Sequence, residues 1–253
     1  MAGNTSASKI YEFTPNTDVT SPVWNTNISG GTYSATNKTY ALNFIGTDET
    51  GLNDTASVLN TSNVTVKING TAVNSTYLTF GTATKTTNSN GNIIKKTFPL
   101  IIKNFTGGTV NITINANALA DTAGNKSAQK TYSFTIDGTA PTWNASVSGG
   151  TYSGSSKTYT FDLIGKDETS LNSASSTLSS SNTTIKVNGT TVSSTNITFG
   201  SASTTTNSSG NVTQKTFPIT IKNYTGGKID ISINAEALVD SAGNKSTAKT
   251  YSF

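Results

Sequence analysis

The sequence predicts an all-β protein made of two tandem copies of one unit. Three observations predict it. The chain repeats itself at a constant shift of 119 positions without insertion or deletion, and 70 of 118 aligned residues are identical. Apolar residues recur at period two in short runs, the spacing that puts alternate side chains on one face of a strand. Glycine- and asparagine-rich turn signals separate these runs, and no segment carries an apolar stripe at helical period. That is the pattern of a sandwich or barrel.

The division follows from the repeat: an N-terminal segment over residues 1–16, a first unit over 17–136 and a second over 137–253. Each unit is long enough to bury its own core. The segment Lys9-Ile10-Tyr11-Glu12-Phe13-Thr14 resembles Lys130-Thr131-Tyr132-Ser133-Phe134-Thr135 and Lys249-Thr250-Tyr251-Ser252-Phe253. The last strand of the unit therefore occurs three times. The first copy reads either as the remnant of a preceding repeat or as a donor strand for an exposed sheet edge.

Within the first unit, Trp24 and Ile28 lie on a first strand, ended by Ser29-Gly30-Gly31. Tyr40, Leu42 and Phe44 alternate on the second, and Gly46 to Asp54 is a polar loop. Val64, Val66 and Ile68 share one face of the next strand, closed by Asn69-Gly70, whose residues tolerate the positive φ of a tight hairpin. Tyr77 to Thr86 and Ile93 to Lys103 pair around Asn88-Ser89-Asn90-Gly91. Val110, Ile112 and Ile114 face inward on the following strand. After the loop Leu119 to Ser127, Tyr132, Phe134 and Ile136 form the last one. The second unit repeats the scheme from Trp143 to Phe253, and each unit is expected to hold seven to nine strands.

Composition removes several functions. The chain has no Cys and no His, and all 17 basic residues are Lys. Without Cys there is no disulfide scaffold, thiolate metal site or cysteine nucleophile. Without His the commonest general base and transition-metal ligand are gone. Without Arg, and with the lysines dispersed, nucleic acid is not an expected partner. No stretch approaches the ~20 apolar residues of a membrane span. The chain is expected not to be an enzyme.

The run Ala118-Leu119-Ala120-Asp121-Thr122-Ala123-Gly124-Asn125-Lys126-Ser127, a strand, and then Asp137-Gly138-Thr139-Ala140-Pro141 resembles the end of a bacterial immunoglobulin-like repeat. Ala237-Leu238-Val239-Asp240-Ser241-Ala242-Gly243-Asn244 repeats the loop. Such repeats stand in tandem in adhesins and S-layer-type proteins attached to the cell wall. The resemblance implies two immunoglobulin-like sandwiches of Greek-key type, an extracellular, cell-surface location and a larger secreted protein. The Cys pair of antibody domains is missing.

Thirteen residues are acidic, and eight of them fall at four repeated positions: Asp18, Asp48, Glu49 and Asp121, then Asp137, Asp167, Glu168 and Asp240. In a sandwich of the implied topology, the approach to the first strand, the loop after the second and the loop before the last meet at one end. Carboxylates gathered there repel unless neutralised. Ca²⁺ takes six to eight oxygens in flexible geometry and suits such a set, with Asn125 and Asn244 completing each site. The same residues also serve as Asx turns, loop solvation and ion pairs, and both readings stand at this point. A structural stalk of neighbouring repeats, stiffened by Ca²⁺, is the expected function. The alternatives are a module that itself binds a host or cell-surface glycan or protein, for which exposed Trp24 and Trp143 would speak, and a filament subunit joined by strand donation from residues 9–14.

Overall fold

A computed structural model describes residues 9–12 and 18–253. The first repeat forms ten strands: β1 (Val23–Trp24), β2 (Ser29–Ser34), β3 (Thr39–Thr47), β4 (Val64–Ile68), β5 (Thr71–Ala72), β6 (Leu78–Phe80), β7 (Thr84–Thr87), β8 (Ile93–Lys103), β9 (Gly108–Ile114) and β10 (Lys130–Ile136). They make two antiparallel sheets. One has the order β1-β3-β8-β6, with β2 also on β3 and β7 also on β8, and the other has the order β10-β9-β4-β5.

The second repeat copies this strand for strand: β11 (Thr142–Trp143), β12 (Ser148–Ser153), β13 (Thr158–Lys166), β14 (Thr183–Val187), β15 (Thr190–Thr191), β16 (Ile197–Phe199), β17 (Ser203–Thr206), β18 (Val212–Ile221), β19 (Ile229–Ile233) and β20 (Lys249–Ser252). Its sheets are β11-β13-β18-β16, again with two side strands, and β15-β14-β19-β20. No ladder crosses between repeats among the described residues.

The period-two pattern becomes the core. Leu42 and Phe44 of β3 and Leu100 and Ile102 of β8 point inward from one sheet, and Val66, Val110, Ile112 and Ile114 point inward from the other. Phe44 meets Tyr132 across the gap at 5.5 Å between ring centroids. The two sheets are thus the halves of one β-sandwich, held mainly by removal of this apolar surface from water. The Tyr132 hydroxyl donates to the Asn25 carbonyl at 3.0 Å, tying β10 to the chain just past β1, and Tyr251 does the same to Asn144. Trp24 and Trp143 are both 8% exposed and belong to the cores.

Four expectations change. Each repeat holds ten strands rather than seven to nine, because two-residue ladders such as Val23–Trp24 and Thr71–Ala72 count separately. Ser29-Gly30-Gly31 is not the end of a strand but the start of β2. Gly30 takes φ +65° at a register shift between Ser29 and Thr32, so the glycines form a bulge rather than a turn. The Tyr77–Thr86 strand is divided. A short 3-10 turn at Ser75–Tyr77 precedes β6, and β7 starts only after Gly81, which passes close over Pro99. Lys9–Glu12 belong to no strand, with Ile10 and Tyr11 more than four-fifths exposed. Phe13 and Thr14, the rest of that third copy, lie outside the described residues.

Two lysines sit where no periodicity places them. Lys96 is 3% exposed, and its Nζ donates to the carbonyls of Asp54 and Ser57 and to the Asp54 carboxylate at 2.7–2.9 Å. Lys215 makes the matching bonds to the carbonyls of Ser173 and Ser176. Asp54 also pairs with Lys85. In the second repeat Ser173 and Thr204 replace both members of that pair. Lys215 is therefore held by carbonyl dipoles and the Phe217 ring, and burial pushes its ammonium below the ordinary lysine range.

Candidate metal centre

Each repeat gathers three aspartates at one end of its sandwich. Asp18 lies on the strap leading to β1, Asp48 directly follows β3, and Asp121 sits in the β9–β10 loop. One carboxylate oxygen from each lies within 4.8 Å of the others, and Asp137, Asp167 and Asp240 form the same group in the second repeat.

Local structure explains the convergence. The Asp48 amide bonds to Ile94 of β8. Its Oδ1 accepts from Thr50 N, Thr50 Oγ1 and Gly51 N at 2.8–3.1 Å, an Asx turn that folds the loop back. The β9–β10 loop is fastened by Ser57, whose Oγ donates to the Ala120 carbonyl and accepts from the Ala120 amide. Lys96 holds the turn that carries Ser57, so the buried ammonium indirectly places Asp121. The strap is fixed by Asn125, whose Nδ2 donates to the Asp18 carbonyl at 3.0 Å and to Asp121 Oδ2 at 2.7 Å. Asn244 repeats this with Asp137 and Asp240.

Two features leave the group short of positive charge. Asp48 is 6% exposed and Asp167 7% exposed, yet Oδ2 of each is buried without a hydrogen-bond partner. Such an oxygen is costly in a folded interior. In addition, Thr50 Oγ1 lies against both Asp18 Oδ2 and Asp48 Oδ1, but a hydroxyl has one proton to donate. Thr169 is in the same position between Asp137 and Asp167. An oxygen-seeking cation would satisfy both features.

Of the ten residues named from the sequence, six converge. Asp18, Asp48, Asp121, Asp137, Asp167 and Asp240 come together. Glu49 and Glu168 lie outside the groups: Glu49 is reached only through Thr20 Oγ1, which lies 2.6 Å from both its Oε1 and Asp18 Oδ1. Asn125 and Asn244 turn their amide nitrogens to the aspartates and brace the strap against the loop. Thr50, Thr169, Ser57 and Lys96 escape sequence reasoning, because nothing in their spacing distinguishes them from the many other Thr, Ser and Lys residues.

Electrostatics differ between the copies. The hydroxyls of Thr20 and Thr50, with the Thr20 amide, lower the pKa of Asp18. Asp240 is raised, first by burial and then by Asp137 and Asp167, against the opposing bonds from Asn244. A raised folded pKa means that the folded state binds the proton more tightly. Its stabilising contribution is present below the unfolded value of 3.8 and is lost as pH rises through the folded pKa. In chelator, the melting midpoint of the second repeat should therefore fall as pH rises above the unfolded value of 3.8. A cation held by these oxygens would require the ionised carboxylates and would reverse the trend. A Trp24→Phe variant, which leaves Trp143 as the only indole, reads that repeat by fluorescence. Equal slopes with and without the ion would contradict this expectation.

No helix among the described residues is long and apolar enough to cross a membrane. No family model matches the chain, and no curated protein is significantly similar to it.

Proposed function

We propose that this chain is a non-enzymatic spacer: two immunoglobulin-like repeats of a prokaryotic cell-surface adhesin or S-layer-type protein, stiffened by Ca²⁺ where repeats join. The observation that carries the reading is the carboxylate group of the second repeat. One of its three aspartates, Asp137, stands on the strap between the repeats, while Asp167 and Asp240 belong to the body of the second sandwich. An ion bound there would fasten the strap to the sandwich and so restrict the angle between neighbours. All of the converging atoms are oxygens, the chemistry of Ca²⁺ rather than of softer metals.

The strand orders β1-β3-β8-β6 and β10-β9-β4-β5 support the immunoglobulin-like reading. They are an ABED-type sheet facing a GFC-type sheet. Near-identical copies support a spacer, since length requires repetition and not a unique surface. Direct ligand binding through the tryptophans loses its main argument, because both indoles are in the cores.

Calorimetric titration of the whole chain with Ca²⁺ tests the proposal. Two sites are expected, one removed by Asp48→Asn and the other by Asp167→Asn. At a hundredfold excess over Kd each site adds about 2.7 kcal/mol of stability. Absence of both heat and melting shift would overturn the calcium reading.

A further inference from the structure

One motif in the chain has no part in the spacer reading. The triplet Asn-Xaa-Ser/Thr, the acceptor for N-linked sugar, begins at 19 of the 29 asparagines. Ser and Thr are 82 of the 253 residues, so composition alone would place it at about one asparagine in three. Within the repeats, four triplets are matched, those at Asn63, Asn69, Asn104 and Asn125 and their copies. Six others occur only in the first repeat and four only in the second. Positions change while the number in each repeat stays close, which a fixed turn or strand requirement would not produce.

The structure sorts these triplets by what their amide nitrogens do. Nδ2 of Asn63 donates to the Val58 carbonyl, and Nδ2 of Asn182 to the Thr177 carbonyl. Those of Asn125 and Asn244 are held by the aspartate groups. Asn60 and Asn74 differ. Asn74 Oδ1 accepts from Thr76 N and Thr76 Oγ1, both at 3.0 Å. Asn60 Oδ1 accepts from Ser62 N at 2.8 Å and from the Ser62 hydroxyl. These Asx turns engage each amide oxygen, and neither Nδ2 has a partner among the described residues. Both asparagines, with Ser62 and Thr76, are exposed.

The turns themselves do not require asparagine. Ser179 and Ser193 stand at the matching positions of the second repeat, with their hydroxyls against those of Ser181 and Thr195. The backbone bonds from Asn63 N to Asn60 O and from Tyr77 N to Asn74 O recur there, from Asn182 N to Ser179 O and from Asn196 N to Ser193 O. Asparagine therefore adds one thing, a free carboxamide nitrogen. Nor is either position open because of a chain end. Asn74 lies between β5 and β6 and is exposed with the second sandwich in place. In the loop that copies Asn60, Ser180 and Ser181 stay exposed with the first sandwich joined on that side.

We propose that Asn60 and Asn74 are sites of N-linked glycosylation. The inference rests on the cell-surface placement in the proposed function and is independent of calcium. The co-substrate is a sugar activated as a phosphate or pyrophosphate ester, and a glycosyltransferase of the producing cell supplies the catalysis. Nδ2 forms a bond to the anomeric carbon. The bond from that carbon to the phosphate oxygen breaks, and its electron pair leaves with the phosphate. One amide proton passes to a base of the transferase. The Ser62 and Thr76 hydroxyls hold each carboxamide by its oxygen and leave the nitrogen to the incoming sugar.

Peptide mass mapping of the full-length protein from the cells that produce it tests this, alongside protease shaving to show whether the chain stands on the surface. Peptides holding Asn60 and Asn74 are expected to carry sugar-mass increments in more than half of the molecules, located on asparagine by fragmentation. Those holding Asn125, Asn182 and Asn244 should be unmodified. Asn74→Ser, which installs the residue of the second repeat, should remove the increment at that turn and keep the fold, as read by circular dichroism. A sugar on the Thr76 hydroxyl would survive that substitution and would count against the inference. A surface-exposed chain with both peptides at their unmodified masses would overturn it alone. A chain found only inside the cells would overturn the surface reading and the inference with it. Equal occupancy at Asn125, Asn182 and Asn244 would show that amide engagement decides nothing, and the assignment would fall.

Discussion

Gly138→Val is expected to release the joint between the two sandwiches. The substitution only copies the residue found at the matched position, Val19, yet any Cβ at 138 would collide with the Thr106 carbonyl and the Gly107 backbone. Neither is the end of a flexible side chain, so the strap itself must lift. Overpacking of this kind costs typically about 1–3 kcal/mol. Here it falls on the junction and not on either core. Each sandwich should keep its own melting midpoint, while the maximum dimension from solution scattering broadens. Asp137 moves with the strap, so Ca²⁺ affinity at the second site should fall more than ~10-fold, equivalent to 1.4 kcal/mol, with the first site unchanged. Val19→Gly is the control and should alter neither. An unaltered scattering profile for Gly138→Val would show that the strap does not set the angle.

Alkaline unfolding should be governed chiefly by Tyr132 in the first repeat, with Tyr33 and Tyr40 raised in the same sense, and by Tyr251 in the second. Burial pushes Tyr132 and Tyr251 up to about 12 from an ordinary value of 10. The folded state thus holds the phenolic proton more tightly than the unfolded chain does. The corresponding stability is fully present below pH 10 and is lost as pH rises from 10 to 12. A shift of this size is worth about 2–3 kcal/mol for each tyrosine, a large part of a typical domain's stability. Lys215 acts in the opposite sense. Its lowered pKa means that stability rises with pH through the window just below 10.5, so the second repeat should enter the alkaline range with a small gain that precedes its loss. Tyr132→Phe should cost about 1 kcal/mol at pH 7, from the lost bond to the Asn25 carbonyl, and should flatten the alkaline fall of the first repeat. Denaturant midpoints from pH 8 to pH 12, read with single-tryptophan variants, decide the matter. A fall in Tyr132→Phe as steep as in the parent would place its origin in Tyr33 and Tyr40, whose phenols burial also pushes up.

Much of this molecule was legible in the sequence because its signals are local. Period-two runs such as Tyr40-Leu42-Phe44 and Val110-Ile112-Ile114 report the pleat of a half-buried strand, and the constant shift of 119 reports the duplication. The strand boundaries that failed involve glycines and a proline with two uses. Gly30-Gly31 serves equally as a turn or a bulge, and only pairing with β3 decides between them. Gly81 divides β6 from β7 because Pro99 of the neighbouring strand lies beneath it, a contact with no local trace.

The carboxylate group shows the same limit more sharply. The repeated spacing of Asp18, Asp48 and Asp121 marked them as one set, and the resemblance to a known sandwich topology brought them to one end. Spacing could not separate Asp48 from Glu49, since neighbours on a loop point in directions set by the turn they make. Nor could it give Asn125 its role, which depends on the Asp18 carbonyl lying 107 positions away. Lys96 and Lys215 carry no local signal of burial, and only tertiary packing surrounds them with carbonyls. The sequence by itself determined the class of fold, the duplication and the acidic positions, because periodicity and repetition are properties of the chain. Tertiary structure alone decided which oxygens converge, which lysines are buried and why position 138 is glycine, because each depends on contacts between residues far apart in sequence.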